Sequence, residues 1–227
     1  MRPMYALLQI TDSLFPSGAF AHSYGLEGLL QRHDHLDAAA WRALLGEIWT
    51  MHLLRADGLL GLHAHRALVA GDVDRVCDAD RRLYSMKLPR ELRDASISTG
   101  RAFLGEACGV VFDPRLGELH GRVEAGTSPG NHAIVFEATA AAIGVDERES
   151  LVAWGYQTVA QMTAALMRLG ALGHRAATSI IGSLRDTVED GVRSLLDDGA
   201  AEMTSFAPLL EIASMRHERQ YSRLFRS

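Results

Sequence analysis

The chain has 227 residues, 48% of them hydrophobic, with a net charge of −5 and two cysteines. It is long enough to bury a sizeable core unaided and too apolar for a disordered chain. Its acidic balance gives no general attraction to nucleic acid, two thiols make neither a disulfide framework nor a zinc site, and no apolar run reaches the length of a membrane span.

The opening residues do not read as a secretory signal. Gln9, Thr11 and Asp12 interrupt the apolar run, and no small-residue cleavage site follows. Cys77 and Cys108 fit a reducing compartment, so the reading is cytoplasmic.

A first helix is expected over about residues 4–13, ending before Pro16 because the residue ahead of a proline disfavours helical angles. A second is expected from His22 or Ser23, fading at "QRHDH". Asp37 is a candidate N-cap for "AAAWRALLGEIWTMHLLRAD", where Trp41, Leu44, Leu45, Ile48, Trp49 and Leu53 recur at spacings of one buried face. Asp57 or Gly58 is expected to break or bend it before "GLLGLHAHRALVAG". Gly71 closes that helix and Asp72 caps the next. Pro89 opens a helix through "RELRDASISTGRAFLGEACGVV", in which Ala95, Ser96, Ser98, Thr99 and Gly100 form a small-residue surface that a neighbouring backbone can approach.

The glycine- and proline-rich stretch 113–130 reads as a loop. "NHAIVFEATAAAIGV" is apolar almost all round and predicts a central, buried helix. Helices follow in "ERESLVAWGYQTVAQMTAALMRLGALG" and in "HRAATSIIGSLRDTVEDGVRSLLDDG". A last one starts near Pro208 and runs towards the end. The expectation is an all-α, single globular domain over 1–227, with roughly eight to ten helices around a buried central one.

Candidate chemistry is sparse. His63 and His65 do not share a helix face, and "HDH" at His33–His35 lacks further spaced ligands, so surface histidines are the expectation and no metal site is assigned. There is no G-x-S-x-G elbow, no phosphate-binding loop and no dinucleotide fingerprint. No catalytic residue and no cofactor is assigned, and the chain reads as a non-enzyme.

The ends carry more. Pro16 and Gly18 break the chain after the first helix and are expected to present Phe15, Phe20 and Tyr24 at one corner, either as a docking point or as a hinge packing its own core. In the terminal "SMRHERQYSRLFRS", continued helix would align Arg216, Arg219, Arg223 and Arg226, with His217, Tyr221 and Leu224 beside them. Residues 206–227 are therefore read as a partner-binding helix or tail, the alternative being a solvated basic end docked on its own body.

Three segments in chain order, "DSLFPSGAFAHSYGLE", "KLPRELRDASISTGR" and "SMRHERQYSRLFRS", with "PGNHAIVF" as a fourth, resemble the urease accessory protein UreF family. The terminal block is the most specific. Ala19 stands where the family often has a second glycine, Glu137 where a small residue is usual, and His174 where the segment more often ends in glutamine.

The resemblance implies an all-helical homodimer that binds the accessory protein UreD (also called UreH), recruits the GTPase UreG, and docks on apo-urease to help place nickel. With the residue reading it implies partner contacts at Phe15, Pro16, Gly18, Phe20, Tyr24 and Glu27, and at Met215, Arg216, His217, Glu218, Tyr221, Arg223, Leu224, Phe225 and Arg226. Two rival roles stay open: a direct regulator of the GTPase, and an autonomous helical nickel-binding protein.

Overall fold

The computed structural model describes residues 3–31, 36–198, 203–218 and 223–225. Among them every regular element is helical. In chain order these are α1 (Pro3–Thr11), a 3-10 turn (Ala19–Ala21), α2 (Leu26–Leu30), α3 (Ala38–Ile48), a π-helical stretch (Trp49–Gly58), α4 (Leu59–Val69), α5 (Val73–Met86) and α6 (Arg90–Val110). Then come α7 (Pro114–Glu124), α8 (His132–Ile143), α9 (Glu147–Arg168), α10 (His174–Ser183), α11 (Arg185–Asp197) and α12 (Pro208–His217). The all-α expectation holds.

Local signals explain most of the boundaries. The Asp37 carboxylate accepts from the Ala40 N–H at 2.8 Å, as an N-cap should. Asp72 does the same for Arg75 at 3.0 Å, and Gly71 ahead of it has φ +77°. Other expectations are corrected. The second helix starts only at Leu26, because Tyr24 and Gly25 both hold left-handed angles that cannot belong to a helix. Asp57 and Gly58 do not break the chain, which passes through the π-helical stretch straight into α4. The stretch expected as a loop contains α7: Asp113 caps it, Pro114 opens it, and Leu116, Leu119 and Val123 bury one face. The last helix ends at His217, and residues 223–225 are not helical.

The chain divides into two compact units. Unit 1 comprises residues 1–18, 56–86 and 96–154. Its buried axis is α8, whose residues from His132 to Ala141 are all buried. A Cβ on Gly61 of α4 would lie 2.9 Å from Glu137 Cγ, so glycine is what lets Glu137 of α8 cross α4. Phe103 is fully buried and collects Phe15, His132 and Phe136 at centroid distances of 5.0, 5.5 and 5.7 Å. The small-residue surface of α6 faces the turn before α8: a Cβ on Gly100 would sit 2.1 Å from the Gly130 carbonyl oxygen. That turn is held from α5. The buried Asp80 carboxylate accepts from Ser128 Oγ (2.5 Å), the Gly130 N–H (2.6 Å), and the Asn131 N–H and Nδ2 (2.9 and 2.8 Å).

Unit 2 comprises residues 19–55, 87–95 and 155–227. Trp41, Leu45 and Trp49 are fully buried in it. Trp49 is admitted by two glycines, since a Cβ on Gly155 would meet its ring at 2.7 Å and one on Gly191 would approach Nε1 at 3.3 Å. The helix expected over 174–199 is split at Leu184, which is buried and serves as the C-cap of α10 and the N-cap of α11. Helix α12 buries Leu210, Ala213, Ser214 and His217, a spacing of three, one and three that defines one face. That face packs on α2.

Candidate functional site

Within unit 2, three of the segments singled out in the sequence meet at one buried ionic cluster. Helix α2 contributes Glu27, the first turn of α6 contributes Glu91, and the end of α12 contributes His217. The His217 ring is fully buried between the two carboxylates, with Nε2 2.9 Å from Glu27 Oε2 and Nδ1 2.8 Å from Glu91 Oε2. The second oxygen of each carboxylate is used as well. Arg223 Nη1 donates to Glu91 Oε1 at 2.8 Å, and the Leu224 N–H donates to Glu27 Oε1 at 2.8 Å. The Phe225 N–H adds a bond of 3.0 Å to Glu27 Oε2. Buried carboxylates are tolerated only when paired and hydrogen-bonded, and this arrangement satisfies both.

Residues 223–225, whose amides and guanidinium meet Glu27 and Glu91, are not helical. The expected alignment of Arg223 with Arg216 on a helical stripe therefore does not form: Arg216 is exposed, whereas Arg223 pairs with Glu91. Glu218 pairs with Arg90 of α6.

A second layer covers the segment. Phe225 is buried, with the Arg168 guanidinium 4.4 Å from its ring centroid. Arg168 also lies 6.0 Å from the Phe20 ring and donates to the Phe20 carbonyl. Partial burial pushes the Arg168 pKa below the ordinary arginine value. Tyr24, at φ +57°, hydrogen-bonds through its hydroxyl to Gln161 Oε1. A non-glycine residue at that angle is uncommon and is held there by its surroundings.

The remaining expected site residues fall in both units. Phe15 packs on Phe103 inside unit 1, while Phe20 and Tyr24 belong to unit 2. Pro16 and Gly18 are exposed, and Gly18 has φ +71°. Phe20, Met215 and Leu224 expose 73%, 45% and 65% of their surface and are available for contact. Tyr221 and Arg226, with Arg219, His33 and His35, lie outside the described residues.

Sequence reasoning missed the roles of Glu91 and Arg168. Their partners are far away in the chain, so no local pattern marks them. It also missed a cluster in unit 1, where buried His65 Nδ1 lies 3.4 Å from Glu137 Oε2 and Ser150 Oγ donates to the same oxygen at 2.6 Å. Burial raises the Glu137 pKa above the ordinary glutamate value, opposed by its bonds to His65 and Ser150. Glu137 Oε1 has no hydrogen-bond partner among the described residues. Among those residues no group of three or more His, Cys, Asp and Glu is placed to hold a metal ion, and no helix is long and apolar enough to cross a membrane.

The comparisons with known proteins agree on one family. The family model described as UreF matches residues 36–185. The urease accessory protein UreF of Arthrobacter sp. (strain FB24) is 34% identical over 226 residues, covering 98% of this chain and 96% of that protein. The protein of the same name from Paenarthrobacter aurescens is 33% identical, covering 98% and 97%. That from Trichodesmium erythraeum is 30% identical, covering 97% and 95%. The family model includes the second resembling segment and "PGNHAIVF", and the relatives extend the similarity over nearly the whole chain. The chain belongs to the UreF family of urease accessory proteins, with a role in urease maturation.

Proposed function

We propose that the chain is a non-enzymatic scaffold which, with a UreD/UreH partner, recruits the GTPase UreG to apo-urease for nickel insertion, acting as a homodimer in the cytoplasm. The observation that carries this reading is the fixing of the terminal segment. Glu27, Glu91 and Arg168 lock its backbone and Phe225, while Leu224 is left facing outwards beside them. On the face of α12 opposite the buried one, Leu209, Ile212 and Met215 stay exposed, and Phe20 is exposed too. Apolar and aromatic side chains presented on a rigid mount are what a protein partner uses as anchors.

Co-purification with UreD/UreH, and then with UreG, tests the reading. Leu224→Ala combined with Met215→Ala is expected to weaken UreD/UreH capture by roughly tenfold or more without lowering the melting temperature. Capture at wild-type affinity would remove the segment from the interface. Single-turnover GTP hydrolysis by UreG separates the rival role. A scaffold leaves the chemical rate of bound GTP within a few-fold, whereas an arginine acting on the transition state raises it by orders of magnitude.

A further inference from the structure

Helix α12 is mounted on one side only. Its buried face packs on α2, close enough that a Cβ on Gly25 would lie 3.1 Å from Leu210 Cδ1. On its other face Leu209, Ile212 and Met215 recur every three residues, a ridge along the helix, and all three are exposed. The ridge does not end with the helix. Ser205 and Phe206 are tied to the π-helical stretch. Ser205 Oγ lies 2.7 Å from His52 Nδ1, and the Phe206 N–H donates to the Met51 carbonyl at 3.0 Å. Met51 is exposed, and Phe206 exposes 66% of its surface. Apolar side chains exposed singly need no explanation, but five on adjoining backbone mark an interaction site.

Glu211 indicates what covers it. It stands on the flank of the ridge, partly buried, and its carboxylate takes no hydrogen bond or ion pair from any described residue. Arg216 on the same helix is five positions on, outside the spacings of three and four at which helical side chains meet. Burial pushes the Glu211 pKa above the ordinary glutamate value, and a cation paired with it would pull the other way. Glu27 and Glu91 of the same unit are each paired and hydrogen-bonded. Glu211 has lost water without gaining a partner.

We infer that this face receives a protein element whose apolar side chains surround one basic side chain, and that the basic side chain pairs with Glu211. The inference rests on the reading that α12 presents partner contacts, and it adds the chemistry of what lands there. Arginine suits the place, because a guanidinium is more weakly hydrated than an ammonium and can engage both carboxylate oxygens. Phe206 and Leu209 on one side and Ile212 and Met215 on the other would then exclude water around the pair.

The test is the binding kinetics of the whole chain with the UreD/UreH partner, comparing the unsubstituted chain with Glu211→Gln and Glu211→Lys. A pair that is desolvated in the complex governs dissociation. Glu211→Gln is therefore expected to speed dissociation by about tenfold or more, with association changed far less, and Glu211→Lys to speed it further. The free chain should not suffer. Glu211→Gln removes a carboxylate that is short of water, so its melting temperature should hold or rise, a combination that a purely structural role does not produce. Unchanged dissociation in both variants overturns the inference. If Leu224→Ala with Met215→Ala still weakens capture, the preceding reading survives without it. A chain that captures no UreD/UreH sinks the preceding partner assignment instead, and the same variants are then run against UreG and apo-urease. Faster dissociation of Glu211→Gln from either keeps this inference; unchanged rates, or no capture by either, overturn it. Sedimentation of the chain alone covers the other occupant: a dimer that Glu211→Lys disrupts gives the face to a second copy and overturns the inference.

Discussion

Gly28 lies against the carbonyl of Ala213, so close that a Cβ on the glycine would stand 2.6 Å from the oxygen. This contact brings α2 and α12 together and sets Glu27 at the depth of His217. Gly28→Ala is expected to push the helices apart and cost about 2 kcal/mol, the scale of overpacking in a close-packed site. Chemical denaturation measures the loss. An unchanged midpoint would mean that α12 can slide without penalty.

Asp80 organises the turn that leads into the buried α8. Asp80→Ala would strand four buried donors, from Ser128, Gly130 and Asn131. The expected cost is about 3 kcal/mol or more, since each unsatisfied buried group carries its own desolvation penalty. A thermal shift of only a degree or two would contradict this account.

Phe225→Ala should destabilise unit 2 as well as loosen the terminal segment. The ring is buried and stacked under Arg168, and large-to-small changes at buried aromatics cost about 3 kcal/mol. Limited proteolysis would find a new cut near residue 225 at low protease concentration. A variant with wild-type resistance and stability would show that the ring contributes little.

Glu137 predicts a pH dependence of stability. Burial raises its pKa in the folded protein above the unfolded value of 4.5, so the folded state binds its proton more tightly. Stability from this group is present at acid pH and is lost as pH rises from about 4.5 through the raised folded value. Glu137→Gln should flatten that part of the melting-temperature profile. A profile superimposable on the unsubstituted one would exclude Glu137 as its source.

Short-range signals are legible in the sequence. Asp37, Gly71 and Asp72 act within a turn or two of where they stand, and the apolar pattern of α8 depends on no distant partner for its meaning. The small residues around Gly100 announce a close backbone approach but not what approaches. What the sequence hides is set by pairing across the fold. Helix α7 is masked by its glycines, because Gly117 and Gly121 look out to open space and weaken the helical pattern without breaking the helix. The terminal helix reads too long because the arginine spacing fits a stripe, whereas Glu27 draws the backbone of residues 224 and 225 out of helical form. Glu27 itself stands out only through the family resemblance. Nothing near it in sequence says that its counter-ion is His217.

Phe225 donates to a carboxylate 198 positions earlier in the chain. During synthesis Glu27 is therefore made long before the groups that satisfy it, which sit between His217 and Phe225. A chain cut short after α12 would keep both glutamates but lose Arg223 and the two amide donors, leaving acidic groups to be hydrated at a place that is otherwise dry. Completion of this stretch is thus written into unit 2 as a difference in hydration, and a prematurely ended product would betray itself by a local opening at α2 before it met any other protein.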